Sequence, residues 1–140
     1  MDAVQHAAQS LQPLHQFVGE WQGKGQSFAQ PITAKLTISL HLQQTFLEVR
    51  ERLYTISGAL DYEDRSWISY DDRQNQLVVT QLMVPGIVDR KICIADEHGC
   101  RWWKSPQDPI VFLSLIDTHL QLEVKFEEQV LTSIQYHRLG

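Results

Sequence analysis

Ten short segments of this chain alternate apolar and polar residues in period 2, and turn residues separate most of them. That periodicity constrains the fold more than any other feature of the sequence. The clearest case is 32–42, where Ile32, Ala34, Leu36, Ile38, Leu40 and Leu42 share one face and Thr33, Lys35, Thr37, Ser39 and His41 the other. Such alternation describes a strand of a sheet with one wet face. Residues 119–126 repeat it, with Leu120, Leu122, Val124 and Phe126 against His119, Gln121, Glu123 and Lys125. The shorter strands read at 20–28, 45–56, 59–70, 76–83, 87–94, 100–104, 110–116 and 130–139. Turn signals such as Ser57-Gly58, Pro85-Gly86 and His98-Gly99 fall between them.

Helical spacing occurs only in residues 2–18, where Val4, Ala7, Ala8, Leu11, Leu14 and Val18 recur and Pro13 starts a second short turn. The expected fold is all-β: an antiparallel up-and-down barrel of about ten strands over 19–140, closed at one end by the 1–18 helical segment, in a single domain of 140 residues. Strand content then exceeds the usual ~20–25% by far, which a closed barrel of short, tightly connected strands accommodates. Closure also removes the edge strands that invite aggregation. Eight strands leave room for side chains or one small ligand, and ten leave more. An interior cavity for a small, largely apolar molecule is therefore expected.

Charge narrows the partners. Seventeen acidic residues oppose 12 basic ones, for a formal net charge of −5, and no basic run is present. Nucleic acid is an unfavourable partner on that balance, and so is an anionic membrane surface. No apolar stretch reaches the ~20 residues of a membrane-spanning helix, so membrane insertion is not expected. No signal-peptide pattern opens the chain, which implies a cytoplasmic protein. Cys93 and Cys100 flank a turn and read as two free thiols in that compartment. A zinc site from Cys93, His98 and Cys100 lacks a fourth ligand.

The segment Phe17-Val18-Gly19-Glu20-Trp21-Gln22-Gly23-Lys24-Gly25 has the form G-x-W-x-G-x-G and opens the first strand after the helical segment. It resembles the nitrobindin-like haem-binding barrels and related bacterial barrel domains of unknown function, within the fatty-acid-binding-protein and lipocalin superfamily. Trp67-Ile68-Ser69-Tyr70-Asp71-Asp72 resembles a central strand and turn of those domains, and Tyr136-His137-Arg138 their ending. The resemblance implies a barrel with Trp21 plugging one end. It also implies an alternative function, a haem protein acting on nitric oxide or peroxynitrite. In the nitrobindins a histidine on the last strand ligates the iron; the corresponding position here is Leu131, which cannot. If position 131 faces inward, alternation places Ser133, Gln135 and His137 inward as well.

Polar residues on apolar faces mark candidate site positions. Glu51 shares a face with Leu47, Val49 and Leu53, and Arg90 with Val88, Ile92 and Ile94. If both faces point inward, Arg90 either pairs with Glu51 or receives a ligand carboxylate. Tyr70 shares a face with Tyr62 and Ile68 and is expected inside. The candidate ligand-binding set is thus Glu51, Arg90, Tyr70, Gln135 and His137. Trp102 and Trp103 face opposite ways; the outward one is either a contact surface, as in a homodimer, or an ordinary surface aromatic. No catalytic motif or metal-ligand spacing is present. A non-catalytic scaffold or interaction domain is the remaining alternative.

Overall fold

The computed structural model describes residues 2–140. A short helix, α1 (Ala3–Ser10), is followed by a 3-10 turn (Gln12–Phe17) with Pro13 in its first turn. Ten strands then form a closed antiparallel barrel: β1 (Gly19–Ser27), β2 (Gln30–His41), β3 (Phe46–Tyr54), β4 (Leu60–Asp71), β5 (Gln76–Met83), β6 (Ile87–Ala95), β7 (Gly99–Trp103), β8 (Ile110–Ile116), β9 (His119–Phe126) and β10 (Gln129–Arg138). Each strand pairs with its sequence neighbour, and β10 closes on β1. Every strand expected from period-2 alternation is present. The architecture is compatible with a lipocalin or fatty-acid-binding-protein-like barrel.

Asp2 caps α1 by accepting from the Gln5 backbone N–H, and the Gln5 side chain accepts from the Asp2 N–H in return. Leu11, Leu14 and Phe17 from the helical segment are fully buried with Trp21 across one end of the barrel. The Trp21 indole donates to the Phe17 carbonyl at 3.0 Å. Arg138 stacks its guanidinium 4.2 Å from the Trp21 ring and donates to the carbonyls of Val18 and Gln16. The plugging role expected for Trp21 is therefore built from both chain ends.

Inward residues of β2 follow the sequence pattern from Ile32 to Leu40, but Leu42 leaves it. Leu42 lies in the β2–β3 turn with φ +52° and is exposed. On the far side of the barrel from the helical plug, β1 and β2 join through Phe28 and Ala29, both at positive φ. A two-residue connection with both residues at positive φ matches the right-handed twist of a hairpin. That hairpin places the Phe28 side chain at the open end.

Candidate functional site

The barrel end opposite the helical plug opens into a cavity of about 430 Å³. Apolar side chains of Val49, Leu53, Trp102, Val111, Leu122 and Val124 form its walls. Phe28, Asp61, Met83, Asp108 and Pro109 stand at its mouth with Asp89 and Lys104, which pair at 2.8 Å. An apolar, partly enclosed space with a few convergent polar groups is the usual form of a small-molecule site.

The polar groups converge on one place. Glu51 of β3 and Asp64 of β4 are directly opposite in the ladder, and both side chains line the cavity. Opposed residues on one face of a strand pair sit ~5 Å apart at Cβ, so two like charges there repel. Asp64 is well supplied with partners. The Tyr62 hydroxyl donates to its Oδ2 at 2.8 Å, and Gln81 Nε2 donates to the same oxygen at 3.0 Å. Lys91 Nζ in turn donates to Gln81 Oε1 at 2.6 Å. Glu51 has a single long contact, from the Tyr136 hydroxyl at 3.4 Å. Burial, reinforced by the Asp64 carboxylate, pushes the Glu51 carboxyl up to about 8. Burial also raises Asp64, while its bonds to Tyr62 and Gln81 and the charge of Lys91 pull it back. Burial lowers Lys91. The cavity thus holds a protonated Glu51 beside Asp64 at neutral pH.

This arrangement dictates a pH dependence of stability. An unfolded glutamate ionises near pH 4.5, whereas folded Glu51 keeps its proton to about 8. Across that window the folded state binds more protons than the unfolded state, so stability falls as pH rises and the effect levels off above the folded value. The slope is at most ~1.4 kcal/mol per pH unit. Urea unfolding of the wild type is expected to lose about 2 kcal/mol or more, relative to Glu51→Gln, between pH 5 and pH 8. Parallel profiles for the two proteins would show that Glu51 titrates as in water.

The sequence-derived candidates divide. Glu51 faces inward and lines the cavity. Arg90 does not: it is exposed on the outer surface of β6 and pairs with Asp71 at 2.5 Å. It is therefore available neither to Glu51 nor to a carboxylate inside the barrel. The inner face of β6 carries Asp89, Lys91 and Cys93, while Val88, Ile92 and Ile94 face outward beside Leu82, Val78 and Trp103 of the neighbouring strands. The polar cavity has inverted the apolar pattern on this strand. Gln135 and His137 also face outward and are exposed. A register shift between Val130 and Thr132 sets the β10 phase, so Thr132, Ile134 and Tyr136 point inward. His137 packs its ring 4.5 Å from that of His119. Tyr70 lies at the plugged end, with its ring edge-on to His6 of α1 at 4.8 Å and its hydroxyl on Asn75. It is remote from the cavity mouth and lines no part of it.

Trp102 is the inward member of the tryptophan pair and Trp103 the outward one. Asp64, Tyr62, Gln81 and Lys91 were missed as site residues by the reading of the sequence. Asp64 was within reach of it, since Tyr62, Asp64, Ser66, Ile68 and Tyr70 share one face of β4.

The residues present do not fit a histidine-ligated haem. None of the described histidines lines the cavity. Leu131, at the position where the barrels this chain resembles carry their iron ligand, is partly buried beside the β10 register shift. Among the described residues no group of three or more His, Cys, Asp or Glu side chains is placed to hold a metal ion. No helix among them is long and apolar enough to cross a membrane. Cys93 and Cys100 are both free and buried. No family model matches this chain, and no curated protein matches it.

Proposed function

We propose that this protein binds a small, largely apolar molecule in the barrel cavity, with the ligand's polar end directed at the Glu51–Asp64 floor. The observation that carries this reading is the cavity of about 430 Å³, walled by aliphatic side chains and Trp102 and open at the end away from the plug.

The test has two parts. Native mass spectrometry of protein purified without refolding is expected to show an adduct that organic extraction releases. Titration with the neutral apolar fluorophore N-phenyl-1-naphthylamine is expected to saturate at one site. Val124→Trp, which fills the cavity from β9, should weaken that binding about tenfold or more while leaving the circular dichroism unchanged. Saturable binding that Val124→Trp leaves intact would place the probe elsewhere and remove the cavity reading.

A further inference from the structure

The charges at the floor of the barrel balance only while Glu51 keeps its proton. At the mouth, Asp89 and Lys104 satisfy each other. At the floor two carboxyls face one another, and the one cation within reach among the described residues, Lys91, is tied through Gln81 to Asp64. Glu51 has no cation within salt-bridge distance among the described residues, and its one polar contact is a tyrosine hydroxyl at 3.4 Å. The floor is thus one positive charge short of neutrality when both carboxyls ionise. Trp102, on the inward face of β7, lines the same cavity.

We propose that the cavity floor recognises a protonated amine carried on an apolar body, with the Glu51 and Asp64 carboxyls receiving the ammonium group. This inference rests on the cavity-binding reading above and specifies its ligand class. Hydrogen bonds between ionised partners are the strong ones, and in a low-dielectric cavity an ammonium between two carboxyls makes several. A ligand carboxylate is disfavoured there, because it would bring a third acid to the floor with Arg90 outside the barrel. The protons balance simply: an amine entering as ammonium displaces the Glu51 proton to solvent, and one entering neutral takes that proton from Glu51.

Isothermal titration of the full chain at pH 7 with decylamine, decanol and decanoate, each below its aggregation concentration, tests the inference. Decylamine is expected to bind about tenfold more tightly than decanol, with decanoate weakest. Glu51→Gln should remove most of the amine preference and leave decanol affinity within about twofold. Asp64→Asn reads the same preference independently if Glu51→Gln fails to fold. Failure of all three probes to bind would overturn the cavity reading itself. Binding of decanol with no advantage for decylamine, or with decanoate tightest, would overturn the amine proposal and leave the cavity reading standing. An amine preference surviving both substitutions would also overturn it, since the ammonium would then sit elsewhere.

Discussion

Trp21→Ala is expected to lower stability by about 3–5 kcal/mol, the range for deleting a large buried aromatic. Trp21 is 1% exposed and packs with Leu11, Leu14 and Phe17 at the plugged end. Its removal would leave a cavity between plug and barrel, and would strand the Phe17 carbonyl that its indole now satisfies. Arg138 would lose the ring it stacks on while still anchored to Val18 and Gln16. Urea unfolding reads the stability, and limited proteolysis within residues 2–18 reads the release of the plug. Trp21→Phe separates the contributions, because it keeps most of the packing and loses the hydrogen bond, worth about 1 kcal/mol. A loss below about 1 kcal/mol for Trp21→Ala would mean that the helical segment does not depend on the tryptophan.

Gly25→Ala is the second large effect. The β1–β10 seam closes the barrel, and at Gly25 the two backbones approach closely. A Cβ there would penetrate the Ser133 carbonyl oxygen and lie 2.8 Å from the Ile134 Cα. Both obstacles are backbone, so no side-chain rotation relieves them. Glycine is required because only a missing side chain permits this approach. Overpacking by a single carbon costs ~1–3 kcal/mol where side chains can yield, so a loss of about 3 kcal/mol is expected here. That corresponds to a fall of roughly 10 °C in Tm for a domain of this size. A Tm within about 2 °C of wild type would show that the seam is looser than described.

These two positions lie in the G-x-W-x-G-x-G segment, whose structural role is legible in the sequence. So are the strands. Alternation over 32–40 and 119–126 states its own geometry, because an apolar face needs a dry side and strand side chains alternate. On β3 alternation left both faces open, since Phe46 and Tyr54 oppose Leu47, Val49 and Leu53, and the structure puts the Glu51 face inside. The same rule applies on β10. Ile134 and Tyr136 alternate with Gln135 and His137, a pattern that puts the apolar pair inside, and the structure agrees with it. The inward placement of Gln135 and His137 came instead from a resemblance that anchored the phase at Leu131.

Arg90 marks a different limit. On β6 the apolar residues Val88, Ile92 and Ile94 face out, and Asp89 and Lys91 face in. Period 2 was present, but its sense was reversed. Alternation separates two faces; it identifies the inner one only where the interior is dry. At the plugged end the interior is dry and the sequence determined the packing of Trp21, Leu36, Leu120 and Ile134. At the open end the interior is a cavity holding Glu51, Asp64 and Lys91, so polarity no longer tells inside from outside. The convergence of those three side chains was decided by the tertiary structure. They come from three strands whose register depends on barrel closure, and the raised Glu51 carboxyl exists only because closure buries it beside Asp64.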